Sequence, residues 1–200
     1  ELAIIQNNAL KSFEIGSAIV DHSSASGVLK SGVGLLVLSG TNSYTGTTRI
    51  SDGTLRAAEG VGLPLASALA LDGGVFETTS GTFMRSLGTG AGQVSLSGAS
   101  AGLSAFGSPL TVNIGGSAAT LVWGMAGFDP ATLVLNSATA NAALDLANAL
   151  DLNGLTRSIR VGANTATVNS IINSGSPAGL VKSGAGVLRL PNASTYEGGT

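Results

Sequence analysis

The sequence has 200 residues, enough for one domain with a substantial core, but only 10% of them are charged and 4% are aromatic. Its 44% hydrophobic residues are therefore mostly Ala, Val, Leu and Ile, and with 30 Gly they favour short strands and tight turns over helices. The net charge of −2 without a basic cluster argues against nucleic-acid binding, and the absence of Cys excludes disulfides and thiolate metal sites. No apolar run approaches the ~18 residues of a membrane helix, so we predict no membrane insertion by this segment.

Short runs of alternating apolar and polar residues follow one another along the chain, and most are closed by Gly, Asn or Ser. They lie at 34–40, 53–57, 67–74, 93–98, 110–116, 119–124, 131–137, 157–162 and 186–192. Alternation with a period of two is typical of strands with one buried face. Short strands separated by regular turn signals indicate a sandwich, a barrel or a solenoid.

The runs at 34–40 and 186–192 predict which residues face the core. Arg189 lies between two leucines of the second run, and Arg is almost never buried without a partner. Position 189, and Val37 in the first run, should therefore face solvent. The residues predicted to be buried are Leu36, Leu38, Leu188 and Leu190.

These two runs belong to a longer repeat, because residues 27–48 align with residues 179–200 without a gap. The identical pairs are Gly27/Gly179, Lys30/Lys182, Ser31/Ser183, Gly32/Gly184, Gly34/Gly186, Leu36/Leu188, Leu38/Leu190, Tyr44/Tyr196, Gly46/Gly198 and Thr48/Thr200. A sequence repeat is expected in a solenoid, because each coil stacks on a similar coil. The strands of a closed sandwich do not require such a repeat. A jelly roll with accidental similarity is the alternative. Coils of about 20–25 residues would give about 8–10 rungs.

Residues 29–57 resemble the passenger-associated transport repeat, also called the autotransporter-associated β-strand repeat. The second copy resembles it through position 200 and departs from it at Pro191, Asn192 and Ser194. The resemblance implies a single-stranded, right-handed parallel β-helix that is secreted and displayed at the bacterial cell surface. The structural residues of the repeat are then Lys30, Gly32, Gly34, Leu36, Leu38, Tyr44, Gly46, Lys182, Gly184, Gly186, Leu188, Leu190, Tyr196 and Gly198. The repeat brings no catalytic residues with it.

We therefore interpret residues 1–200 as one β-helix segment of a longer protein, with repeats at 27–57 and 179–200 and spacer coils at 58–178. Its expected role is that of a stalk or export scaffold, and its expected partners are flanking coils of the same chain. End-to-end self-association is also expected, because open strand edges pair with other strands. The alternative is an adhesin module whose spacer coils bind a surface glycan or a protein.

A polysaccharide-active β-helix is the less favoured reading, because it needs paired carboxylates or carboxylates that hold Ca²⁺. The densest acidic pair is Asp145 and Asp151, which we interpret as part of a solvated face where the two carboxylates stack on neighbouring coils. His22 is the sole histidine and lies in a polar loop, so neither a Ser-His-Asp triad nor a zinc site is expected. We expect no cofactor, no metal and no enzymatic activity.

The aromatic residues are few enough to be placed one by one. We expect Tyr44 and Tyr196 to cover a corner of their coils with hydroxyls near solvent. The remaining aromatic residues considered are expected in the core, namely Trp123, Phe106, Phe83, Phe76 and Phe13.

Overall fold

A computed structural model describes residues 1–172 and 177–197, which form short strands and turns without a helix. The strands in chain order are β1 (Leu2–Ile5), β2 (Phe13–Ile15), β3 (Val28–Ser31), β4 (Leu35–Leu38), β5 (Thr48–Ile50), β6 (Thr54–Ala57), β7 (Leu69–Asp72), β8 (Val75–Thr78), β9 (Thr82–Phe83), β10 (Val94–Ser97), β11 (Ala101–Ala105), β12 (Leu110–Val112), β13 (Leu121–Val122), β14 (Thr132–Leu135), β15 (Leu144–Leu146), β16 (Leu150–Asp151), β17 (Arg157–Arg160), β18 (Thr165–Val168), β19 (Ile171–Ile172), β20 (Leu180–Ser183) and β21 (Val187–Arg189).

The strands form four sheets in which all pairings between these strands are parallel. The first sheet has the order β1-β3-β5-β7-β10, and the second β2-β4-β6-β8-β11-β14-β17-β20. The third has the order β21-β18-β15-β12-β9, and the fourth β13-β16-β19. Each strand thus returns beside its predecessor after one circuit, which confirms the predicted parallel β-helix.

Within the described residues the second sheet runs from one end of the stack to the other and defines eight coils, numbered from β2 in coil 1 to β20 in coil 8. Its successive strands begin 19 residues apart at the closest, from Leu35 to Thr54, and 31 residues apart at the farthest, from Ala101 to Thr132. The coil count agrees with the lower end of the expectation, whereas the coil lengths vary more than the sequence suggested.

The cross-section of the stack changes along its axis. Coils 1 to 3 contribute to the first and second sheets, the third sheet begins with β9 in coil 4, and the fourth begins with β13 in coil 5. The first sheet ends with β10 in coil 5. The interval from Ala101 to Thr132 is also the longest between strands of the second sheet, and this length lets the chain pass through the additional sides.

The core consists of ladders in which equivalent side chains of successive coils stack on one another. One ladder of the second sheet runs through Phe13, Leu36, Leu55, Phe76, Leu103 and Leu135. Leu36 and Leu38 are buried, as predicted, and Val37 lies between them at a half-buried position. The alternation of the sequence therefore gave the correct register for β4.

Leu188 and Leu190 are only partly buried, so their predicted burial is wrong in extent. The intervening Arg189 is exposed, as predicted. Within the described residues β21 is the edge strand of the third sheet, so its inward side chains have a neighbouring coil on one side only. Phe13 is 48% exposed for the same reason, because β2 is an edge strand of the second sheet.

The other aromatic residues divide into two groups. Trp123, Phe76 and Phe83 are buried as predicted, and the Phe76 and Phe83 rings lie 6.1 Å apart between centroids. Phe106 is only half-buried, because its ring covers the Arg56 guanidinium on the outside of the second sheet. The expectation that all five aromatics lie in the core is therefore wrong for Phe106 and Phe13.

Candidate functional site

The repeat forms a corner between two sheets, and a lysine points into it. In the first copy β3 enters the corner and β4 leaves it. Lys30 lies in the inward ladder of the first sheet, where its neighbours are Ile4 and Ile50. Its side chain is 0% exposed, although the ladder is otherwise aliphatic around it.

The Lys30 ammonium is held by backbone carbonyls rather than by a carboxylate. Its Nζ donates to the carbonyl oxygens of Gly32 at 2.5 Å, Asp52 at 3.0 Å and Ser31 at 3.1 Å. Ser31 and Gly32 belong to the corner of coil 2, and Asp52 belongs to the equivalent turn of coil 3. The lysine therefore closes its own corner and joins it to the next coil.

Burial lowers the pKa of Lys30 to about 8, and the attraction of the Asp52 carboxylate opposes this shift. Desolvation disfavours an ammonium, whereas hydrogen bonds from the ammonium to carbonyls favour it. At pH 7 the lysine is still mainly charged, as its three acceptors require.

Two glycines let coil 2 approach the backbone of coil 1 at this corner. Gly32 has a φ of 78°, and a Cβ there would lie 2.7 Å from the Gln6 carbonyl oxygen. A Cβ at Gly34 would lie 2.5 Å from the Asn8 carbonyl oxygen. Side chains at these positions would collide with backbone that has no room to move, so the glycines of the repeat serve the stacking of coils.

Tyr44 lies at a different corner of the same coil and is completely buried, contrary to the expectation of a hydroxyl near solvent. Its hydroxyl lies 2.7 Å from Thr48 Oγ1, which in turn lies 2.8 Å from Ser67 Oγ. Ser67 Oγ donates to the Gly46 carbonyl at 2.7 Å. This chain of buried hydroxyl groups satisfies the phenol inside the protein, so it needs no water, and burial raises the pKa of Tyr44.

The second copy forms the same corner between β20 and β21. Lys182 Nζ donates to the Gly184 carbonyl oxygen, as Lys30 does to Gly32. Gly184 has a φ of 81°, and a Cβ there would lie 2.2 Å from the Val161 carbonyl oxygen. A Cβ at Gly186 would lie 2.7 Å from the Asn164 carbonyl oxygen. Tyr196 is partly buried, and Gly198 lies outside the described residues.

The two copies occupy different positions around the axis. The first corner joins the first sheet to the second, whereas the second corner joins the second sheet to the third. Lys182 accordingly follows Ile159 in an inward ladder of the second sheet, and it is half-exposed in coil 8, the last of the described coils. The repeat therefore specifies a type of corner and not a particular face of the stack.

The residues considered for catalysis are not brought together. Asp145 and Asp151 belong to the same coil, on β15 of the third sheet and β16 of the fourth, so they do not stack on neighbouring coils as suggested. Asp151 is buried rather than solvated, and its Oδ1 accepts from the Asn153 backbone N–H at 2.8 Å. His22 is exposed in its loop.

Within residues 1–172 and 177–197, the His, Asp and Glu side chains form no group of three or more that could hold a metal ion. The same part of the chain contains no helix long and apolar enough to span a membrane.

Comparison with known proteins places the repeats in a family. The family model of the passenger-associated transport repeat matches residues 28–57 and 180–200. A 66-residue stretch, 32% of this chain, is 41% identical to the adhesin BmaC autotransporter of Brucella suis biovar 1 (strain 1330). The match covers 2% of that protein's length. No solved structure matches the chain. The chain thus contains two passenger-associated transport repeats, as the sequence patterns predicted, on a parallel β-solenoid.

Proposed function

We propose that this chain is a rod-forming segment of an autotransporter-like passenger, secreted or displayed at the bacterial surface, where it acts as a stalk and export scaffold. The observation that carries the proposal is the second sheet, which continues unbroken through eight coils. At about 4.8 Å per coil it gives a rod of roughly 40 Å. The two repeats and the adhesin-named relative favour a structural or adhesive passenger over an enzyme.

The corner lysines suggest how the repeat supports export. A passenger that crosses a membrane unfolded has to build its stack coil by coil afterwards, and each new coil must find its register on the previous one. Lys30 joins the corners of coils 2 and 3 through carbonyls of both. Such a corner would hold the register of an incoming coil before its apolar ladders are complete.

The test uses the surface protein that carries this segment, with Lys30→Met and Lys182→Met introduced together. We expect less passenger at the cell surface, measured by flow cytometry of an epitope tag, with unchanged adhesion for each displayed molecule. Lys11→Met is the matched control, because Lys11 is exposed outside the repeats. Normal display of the double variant would rule out the export-scaffold role.

An adhesin function is the second candidate, and the name of the relative favours it. In that case the spacer coils at 58–178 would carry a site for a surface glycan or a protein. The same assay separates the two roles. If the spacer coils carry an adhesive site, substitutions at exposed positions in these coils should reduce adhesion per displayed molecule without reducing the amount displayed.

We further propose that flanking coils, or another copy of the chain, cover the two ends of the described stack. The edge strands β1 and β2 leave Phe13 and Leu2 partly exposed, and β20 and β21 are edge strands at the other end. Open edges of this kind pair with further strands. Light scattering of the isolated chain should show rods that grow with concentration, and Phe13→Lys should reduce this growth. Leu10→Lys, at a residue that is 91% exposed, is the control. A strictly monomeric chain at high concentration would contradict the proposal.

A further inference from the structure

The outer face of the second sheet is covered at its middle strands, although the outer face of such a sheet is usually open to solvent. In β8 and β11 every residue is buried, including those whose side chains point away from the core. In β4 and β6 the outward residues are half-buried. Residues 136–141, which follow β14, contribute to the cover, and we call them the strap.

The strap is fastened to a buried carboxylate two coils away. Glu77 on β8 is 0% exposed. Its Oε2 accepts from Ser137 Oγ at 2.9 Å and from Thr139 Oγ1 at 2.8 Å, both in the strap. The same oxygen accepts from Ser104 Oγ on β11 at 2.9 Å, and Oε1 accepts from Arg56 Nε on β6 at 2.7 Å.

The strap is held in place at its beginning by Asn136. This residue has a φ of 71°, in the left-handed region that turns the chain out of β14. Its Oδ1 accepts from the Ala105 backbone N–H at 2.9 Å. Its Nδ2 donates to the carbonyls of Ala142 at 3.0 Å and Thr165 at 3.1 Å. Hydrogen bonds of the Asn136 side chain therefore fix the direction of the strap. They join it to coil 5, to coil 7 and to Ala142, the residue just after the strap.

The Arg56 guanidinium, which is the cation paired with Glu77, is covered as well. The Phe106 ring, which follows β11, lies 3.3 Å from the Arg56 guanidinium carbon. A ring face over a guanidinium is attractive and keeps water from it. Arg56, Glu77, Ser104, Ser137 and Thr139, together with the Phe106 ring, form what we call the clasp.

The clasp takes one or more members from each of four successive coils. Arg56 lies in coil 3, Glu77 in coil 4, Ser104 in coil 5, and Ser137 with Thr139 in coil 6. In a solenoid each coil normally contacts only its neighbours, so the stack can open one coil at a time. Here the carboxylate of coil 4 is bonded directly to coil 6.

We propose that the clasp makes coils 3 to 6 a single cooperative unit that cannot open coil by coil. Opening coil 6 alone would remove two of the four hydrogen-bond donors of Glu77 while the carboxylate stays packed between coils 3 and 5, and opening coil 3 alone would remove its cation while the strap still covers it. Removing a partner from a charge that stays away from water costs far more free energy than removing the same partner when the charge becomes hydrated. Opening the four coils together exposes Glu77 to solvent and avoids this cost. This inference goes beyond the stalk role and does not depend on it.

Force spectroscopy on the 200-residue chain tests the proposal. The absence of Cys allows handles at Glu1→Cys and Glu197→Cys. Arg56 to Thr139, both included, comprise 84 residues. Their cooperative release should lengthen the chain by at least about 280 Å in one step, at 3.3–3.6 Å per residue. A wild-type chain whose coils 3 to 6 also open in steps of one coil, about 60–110 Å each, would overturn the proposal.

Ser137→Ala with Thr139→Val removes the strap donors and leaves the core ladders intact. We expect this variant to lose the long step and to release coil 6 separately. Glu14→Gln is the matched control, because Glu14 lies in the same outward row in coil 1, outside the clasp. Persistence of the long step in the double variant would contradict the proposal.

Native-state hydrogen exchange gives a second measurement. In the wild type the slow amides of β6 and β14 should share one opening free energy, and in the double variant that of β14 should fall below that of β6. Unequal values in the wild type would overturn the proposal. If the double variant does not fold, Glu77→Gln and Ser104→Ala test the same coupling one partner at a time.

Discussion

Gly32→Ala should destabilise the protein by about 2–5 kcal/mol, and much more than Gly107→Ala. The two glycines have nearly the same backbone conformation, with φ values of 78° and 81°. They differ in their surroundings, because a Cβ at Gly32 would lie 2.4 Å from Asn7 Oδ1 and 2.7 Å from the Gln6 carbonyl oxygen, whereas at Gly107 nothing lies within 4 Å. Both substitutions carry the cost of a left-handed residue, about 1–2 kcal/mol. Only Gly32→Ala adds a collision between coils 1 and 2.

The measurement is chemical denaturation of both variants beside the wild type. The expected difference between the two variants is about 1–3 kcal/mol, the usual cost of overpacking. Equal losses of unfolding free energy would mean that the corner can shift to admit a Cβ. Gly32 would then be needed only for the left-handed backbone conformation of the turn. The comparison thus separates the two reasons for which a repeat would keep Gly at this position.

The sequence predicts those features that depend on local alternation. Leu36 and Leu38 are buried because a strand alternates its faces, and a lone Arg189 in the aligned run is enough to identify the outer face. In the structure Lys30 shares the inner face of β3 with Val28, which precedes it by two residues and is buried. The general rule that lysine is exposed points the other way, so the sequence alone left the direction of Lys30 open.

Other features depend on which coils become neighbours, and local alternation does not contain this information. The clasp joins Glu77 to Thr139 across 62 positions of sequence. The shift of the second repeat to another corner follows from the unequal coil lengths and the added sheets between the two copies. The partial burial of Leu188 likewise reflects its edge position and not its own sequence pattern.

Lys30→Met should cost about 2–3 kcal/mol of unfolding free energy at pH 7, because it takes a charged donor from the carbonyl oxygens of Gly32 and Asp52 while it fills a similar volume. Lys182→Met should cost less, because Lys182 is half-exposed and its acceptor can be hydrated. Lys11→Met, at an exposed residue, is the control and should have little effect.

The pH dependence of this difference reports the titration of the buried Lys30 amine. Burial lowers the pKa of Lys30 to about 8 from an ordinary value of 10.5. Between these values the unfolded chain binds more protons at this residue than the folded chain does. Raising the pH through this range therefore favours the folded state of the wild type, and below about pH 8 the group contributes no pH dependence. Denaturation curves from pH 7 to pH 10.5 should show the advantage of the wild type over Lys30→Met increasing above pH 8. A constant difference would mean that Lys30 titrates normally, and that its contacts with the corner carbonyls offset the whole cost of its burial.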